Sequence, residues 1–244
     1  MNCLPMSRQI LAAAVGIASL VACTTNAPGR TNGTLDSTGA ELVSQSGVTT
    51  RRVSAGPAAD VMSSPSPDGR LLSYIANDGL AVRDLVSGTN RTLATSTERS
   101  YAFYSAFAPD GRRIAYGWYN DSTKTYELRL IDSDGAHPRV LLGSTDTYTY
   151  LARPSWSPDG REIAIGISPQ DRPGEIALIS AETGARRPLK TFKSGGVEIL
   201  SWSPDGRFLA YDFADSLRMH QIHTISADGR RESLVLSGQA SAIL

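Results

Sequence analysis

Five residues, Ser203-Pro204-Asp205-Gly206-Arg207, recur with small changes three more times, as Ser66-Pro67-Asp68-Gly69-Arg70, Ala108-Pro109-Asp110-Gly111-Arg112 and Ser157-Pro158-Asp159-Gly160-Arg161. Each copy spells a hairpin corner. Proline pre-sets φ for the second position of a type I turn, aspartate suits the third, and glycine takes the left-handed angle that re-aims the chain. The aspartates lie 42, 49 and 46 residues apart (68 to 110, 110 to 159, 159 to 205). That period matches four-stranded propeller blades and is too long for single hairpins. It predicts an all-β propeller of four-stranded antiparallel blades, with four full blades and part of another.

The register follows from the corners. An apolar strand precedes each one, and a second follows at 71–76, 114–119, 163–168 and 208–213. Third strands are expected at 80–85, 126–132, 175–180 and 221–226, and fourth strands at 91–95, 139–143, 187–191 and 232–237. Short strands punctuated evenly by Gly, Asp and Pro are the all-β pattern. Residues 41–54 match a third strand, turn and fourth strand with no first half, while 237–244 track the first-strand stretch 194–200. Either the two ends patch a closing blade, or this is the front part of a larger propeller, which the apolar ending Ala242-Ile243-Leu244 favours, since an unpaired strand at a chain end is an exposed edge.

Ahead of the repeats, residues 1–22 read as an export signal. Arg8 supplies the positive flank, and 10–22 is an apolar run of 13 residues broken only by Ser19, too short to span a bilayer. Leu20-Val21-Ala22-Cys23 resembles the lipobox of bacterial lipoproteins, which implies lipidation at Cys23 and, with Thr24 following, an outer-membrane address. An ordinary secretory signal with a chance cysteine is the alternative. Residues 23–40 are Thr, Asn, Gly, Ser and Pro with hardly a bulky apolar side chain, and read as a flexible tether of on the order of 20 to 25 Å. The propeller is then expected over 41–244.

With Trp156 and Trp202 standing before their corners, the repeats resemble the WD-like propeller repeats of TolB and its relatives over roughly residues 41–244. Pro65 and Phe107 stand where the tryptophan would be, and Pro65 predicts a short or irregular strand, since it cannot donate to a ladder. TolB carries an α/β domain where this chain has tether, so the resemblance is to a relative of TolB. It implies a non-catalytic protein-binding platform in the cell envelope, with an envelope protein or peptide as partner; the lipobox-like stretch adds the periplasmic face and a membrane attachment through Cys23. The second reading, from another class, is an accessory or N-terminal propeller portion of an envelope hydrolase, peptidase or carbohydrate-handling system.

Chemistry is sparse by comparison. No Gly-x-Ser-x-Gly elbow occurs in the repeats, and no catalytic residue or cofactor is expected. Cys3 and Cys23 both precede the repeats, and His220 and His223, three apart on a strand, point to opposite faces, so no metal site is expected. Asp132-Ser133-Asp134-Gly135 resembles the opening of a calcium loop but lacks the later acidic ligands, and reads as a turn. The net charge of zero gives no pull towards nucleic acid. The pairs Arg51-Arg52, Arg186-Arg187 and Arg230-Arg231 fall at one phase, the start of the fourth strand, where charge blocks strand addition. Among the aromatic residues, Tyr148 and Tyr150 sit between Thr and Asp in what reads as a long loop, 144–153, and are the expected contact surface.

Overall fold

In this computed structural model the described residues are 42–45, 48–51, 63–143, 148–169, 173–215 and 219–237. The signal, Cys23, the tether and the stretch 238–244 lie outside them. A hairpin comes first, β1 (Leu42–Gln45) and β2 (Val48–Arg51). Blade one follows: β3 (Ser64–Pro65), β4 (Leu71–Ala76), β5 (Gly79–Asp84) and β6 (Asn90–Thr95). Blade two is β7 (Ser100–Phe107), β8 (Arg113–Asn120), β9 (Thr125–Asp132) and β10 (Arg139–Leu142). In blade three the first strand comes in two pieces, β11 (Tyr148–Leu151) and β12 (Ser155–Trp156), before β13 (Glu162–Pro169), β14 (Glu175–Ser180) and β15 (Arg186–Thr191). Blade four is β16 (Gly196–Trp202), β17 (Phe208–Ala214), β18 (His220–Ser226) and β19 (Glu232–Ser237). Each blade is an antiparallel meander, and no helix occurs among the described residues. The hairpin differs from the expected half-blade. Gln45 pairs with Val48, so its second strand begins four residues before the arginine pair's second member, Arg52.

All four corners close as their sequence requires. The glycine N–H donates to the residue three earlier, Gly69 to Ser66, Gly111 to Ala108, Gly160 to Ser157 and Gly206 to Ser203, each at 2.9 Å. Their φ angles, 69°, 68°, 68° and 69°, sit where a side chain is strained. Where serine leads, its hydroxyl donates to the aspartate (2.5 Å to Asp68, 2.6 Å to Asp159, 2.7 Å to Asp205) and accepts the N–H of the residue after the corner. The same aspartate oxygen accepts the N–H two residues on, as from Arg70, Arg161 and Arg207. Ser226, Asp228 and Gly229 repeat the device between β18 and β19.

These bonds hold the carboxylate charged. The Ser203 hydroxyl, then the Arg207 N–H and guanidinium, lower Asp205 to about 2, and Asp68, Asp159 and Asp228 are lowered by the equivalent serines first. A depressed carboxyl contributes stability that is complete above the unfolded value near 4 and is lost as pH falls through the folded value. For Asp205 that window runs from about pH 4 to about pH 2. Ser203→Ala is expected to raise the Asp205 titration, read by carboxyl carbon NMR, and to shift acid unfolding to higher pH. An unmoved titration would remove the hydroxyl from the account.

The core lies between blades. On β13, Ile163, Ile165 and Ile167 face blade two, joining Leu128, Leu130 and Leu141, while Ala164 packs with Leu209 and Tyr211 of blade four. Both faces of the strand are therefore buried, which is why it reads as a nearly continuous apolar run. A third cluster, around Leu80, Val82, Ile114 and Tyr116, joins blades one and two.

Polar ties repeat with the blades. On the inner side the Trp156 indole N–H donates to the Ala106 carbonyl of blade two (3.0 Å), and Trp202 donates to Ser155 of blade three (3.2 Å). On the outer side Arg91, Arg139 and Arg187, each the first or second residue of its blade's fourth strand, reach the next blade's turn. Arg91 donates to the Ser133 carbonyl (2.7 Å), Arg139 to Glu182 (2.5 Å) and Ala181, and Arg187 to Ala227 (3.4 Å). The fourth-strand arginines thus do more than guard an edge. They staple blades together. Arg186 turns the other way, onto Glu175 at 2.5 Å within its own blade.

Candidate binding site at the inner strands

First strands converge on an axis. Arg153, between β11 and β12 of blade three, donates to the Ser63 carbonyl of blade one at 3.0 Å, passing over blade two. Only inner strands brought within one side chain's reach permit that bond.

A bulge recurs in three of these strands at one phase. In β7 the register shifts between Phe103 and Ser105, which leaves Tyr104 unpaired with φ at 46°. In blade three Leu151 pairs with Ile167 and Ser155 with Ala164, and Ala152 donates to Gly166, so one extra residue falls at Arg153-Pro154. In β16 the shift between Val197 and Leu200 places one at Glu198-Ile199. Bulges re-aim side chains and cluster beside functional sites. Tyr104 pays for its position with a left-handed backbone that a bulky residue rarely adopts. Across from it, Gly117 makes the arrangement possible. A Cβ there would meet the Phe103 ring at 2.4 Å, so the ring lies in the space glycine leaves. Phe103 in turn packs edge-on against Tyr104 (5.4 Å) and Tyr126 (5.6 Å).

The Tyr104 and Tyr150 hydroxyls meet at 3.0 Å. Burial, and then the bond to Tyr104, push the Tyr150 phenol well above its ordinary range, so Tyr150 keeps its proton, and either hydroxyl can donate to the other. Arg153 is half-buried, and loss of water lowers its guanidinium from its ordinary value, with Tyr104 acting in the opposite direction.

The expected loop at 144–153 is therefore corrected in its second half. Tyr148–Leu151 is strand β11, paired to β13, and Tyr150 packs against the core between blades three and four. The alternation Tyr-Thr-Tyr-Leu is a strand signal that the neighbouring Thr and Asp obscure. The Tyr148 side chain lies outside the described residues. Sequence reasoning did not find Tyr104 or Arg153 as site residues, because a bulge leaves no pattern in a single copy of a repeat.

Other sequence candidates lie elsewhere. Pro67, Pro109, Pro158, Pro204 and their Asp-Gly partners turn between first and second strands, and successive corners abut: a Cβ on Gly111 would lie 3.5 Å from Pro67, on Gly160 3.7 Å from Pro109 and on Gly206 3.6 Å from Pro158. The His137 Nδ1 contacts Asp132 at 2.7 Å in an exposed turn, and the Asp134 carboxylate accepts the Ala136 N–H (2.9 Å), so the calcium-like stretch is a turn. His220 lies against the buried Asp212 at 3.0 Å, while His223 stacks on Tyr211 at 5.2 Å. Among the described residues no three His, Cys, Asp or Glu are grouped to hold a metal.

Four antiparallel blades with their first strands drawn to an axis define a β-propeller, all-β throughout the described residues. Comparison places its likeness with TolB. The chain is 40% identical over 82 residues to the Tol-Pal system protein TolB of Legionella pneumophila (strain Paris), covering 33% of this chain and 19% of that protein. Its fold matches the crystal structure of TolB from Acinetobacter baumannii with a TM-score of 0.59 at 19% identity, over 79% of this chain and 47% of that one. An oligogalacturonate lyase in complex with manganese also shares the fold (TM-score 0.61, 17% identity, 79% of this chain and 57% of that one). No protein-family model matches. The chain is a TolB-like β-propeller and not TolB itself, and it spans about a fifth of the length of the curated relative.

Proposed function

We propose that this chain is a non-catalytic, lipid-anchored protein of the cell envelope, facing the periplasm from the outer membrane, whose propeller holds another envelope protein or a peptide. The observation that carries the reading is the Tyr104, Tyr150 and Arg153 cluster on irregular inner strands of a fold similar to TolB, with Tyr104 held at a φ of 46°. Phenols and arginine held by a rigid scaffold are what contact surfaces use, and they are recruited here at a backbone cost that packing alone does not require. A fold shared with a lyase does not weigh against this, because propellers host both binding and catalysis.

Two measurements test it. Co-purification from envelope extracts should recover a protein with the wild-type chain and not with Tyr104→Arg, which places a charge in the cluster. Equal recovery would count against the inner strands as the binding face. Cys23→Ser should move the protein from the membrane fraction to the soluble one, since anchoring would rest on acyl chains at that residue. Unchanged partition removes the lipid anchor.

A further inference from the structure

Arg153 is a covered cation without a counter-charge. Among the described residues no carboxylate lies within ion-pairing distance, and the Ser63 carbonyl takes one of its five N–H donors. Arginines of comparable cover are treated otherwise: Arg129 meets Glu127 at 2.6 Å, and Arg186 meets Glu175 at 2.5 Å. Folding gains nothing by drawing a lone guanidinium out of water, so a charge left this way marks a place where an anion enters. A second donor comes from the phenol pair of the neighbouring strands. Two phenols joined by one hydrogen bond at 3.0 Å keep one O–H between them for a further acceptor.

Building on the platform reading, we propose that Arg153 and the Tyr104–Tyr150 hydroxyl pair form a carboxylate receptor at the inner-strand bulges, whose ligand is a carboxyl group of a peptide chain. Guanidinium and hydroxyl donors suit the planar two-oxygen acceptor, and charge-assisted bonds of this kind are the strong ones. Glu198, exposed on β16, acts on Tyr150 and repels a second carboxylate, which leaves the Arg153 side as the place for the ligand's charge. Inner strands lying within one arginine's reach of each other suit the narrow end or a single side chain of an extended peptide. Aromatic side chains flank the spot, with Phe103 and Tyr126 packed behind Tyr104.

The test is a titration of the full-length chain, in mild detergent, with three pools of tetrapeptides: free C-terminal acids lacking Asp and Glu, the same sequences amidated, and amidated sequences carrying one Asp or Glu. The readout is the Arg153 side-chain Nε–H NMR signal, assigned by its loss in Arg153→Met. The free-acid pool is expected to move that signal and the plain amides to leave it in place. A response to the third pool would locate the carboxylate on a side chain and equally support the receptor. Arg153→Met should weaken binding about 10- to 100-fold, and Tyr104→Phe, which adds no charge and removes no volume, about 3- to 10-fold. Near-UV circular dichroism confirms that each variant is folded. Free acids and amides binding alike, with Arg153→Met without effect, would overturn the receptor while leaving the platform standing. Binding of an oligogalacturonate in place of every peptide would overturn the peptide assignment, and no binding by any pool would overturn the receptor, while the platform stands or falls by the co-purification.

Discussion

Trp156→Ala is expected to cost about 3 to 5 kcal/mol, the usual loss when a large buried aromatic is cut back to a methyl group. Against a total of about 5 to 15 kcal/mol for a domain, this should lower the urea midpoint by more than about 1 M. Only 7% of the residue is exposed, and it lies in the cluster joining blades two and three, beneath the Arg113 guanidinium at 5.2 Å. Its indole N–H is the sole described side-chain donor to the buried Ala106 carbonyl. Trp156→Phe keeps most of the ring and loses that donor, while Ala106 stays paired with Ala115 in the ladder, so it should cost about 0.5 to 1.5 kcal/mol, the net worth of one hydrogen bond. Trp202→Phe should cost less, because Trp202 is half-exposed and its bond to Ser155 is longer, at 3.2 Å. The order Trp156→Ala, then Trp156→Phe, then Trp202→Phe tests whether blades hold one another up through these inner ties. A Trp156→Ala loss under about 1 kcal/mol would mean that each blade carries its own stability, contrary to the nearest-neighbour rule for repeat folds.

How much of this could be read before the structure depends on whether the causes are local. A Pro-Asp-Gly corner carries its whole mechanism within five residues, and the strands on either side fall within a residue or two of their expected positions, as β4 (Leu71–Ala76) and β14 (Glu175–Ser180) do. Pro65, read as a ladder breaker, belongs to a described strand of two residues. The phase of the arginines was visible as well, but their acceptors were not. The carbonyls of Ser133, Ala181 and Ala227 are backbone atoms with no sequence signature, and the distance from one blade's edge to the next blade's turn exists only after folding. Bulges hide for a related reason. Tyr104, Arg153 and Ile199 share a phase and no chemistry, so nothing in their identities announces that each lies at the register shift of its strand. Tyr150 was chosen from sequence for exposure. It matters instead through its hydroxyl, which is half-hidden and bonded to Tyr104.

Gly117 offers the sharpest test of how the site is built, because the sign of its replacement should depend on one neighbour. Glycine inside a strand ordinarily costs about 0.5 to 1 kcal/mol relative to alanine, so Gly117→Ala on an unobstructed strand would stabilise. Here the new methyl would lie 2.4 Å from two carbons of the Phe103 ring and 2.8 Å from a third. That ring cannot swing away freely, being wedged between Tyr104 and Tyr126. Overpacking of this kind costs about 1 to 3 kcal/mol, which exceeds the propensity gain, so Gly117→Ala should destabilise the wild type. It should also disturb the Tyr104 hydroxyl and with it any ligand held at Arg153. In a Phe103→Ala background the obstruction is gone, and the same change should stabilise by a few tenths of a kcal/mol or more. The double-mutant cycle over these two positions is therefore expected to show a coupling of about 1 to 3 kcal/mol, with the effect of the alanine reversing sign between backgrounds. If Gly117→Ala acts equally in both, the ring does not occupy the glycine's space, and the account of why β7 bulges at Tyr104 fails with it.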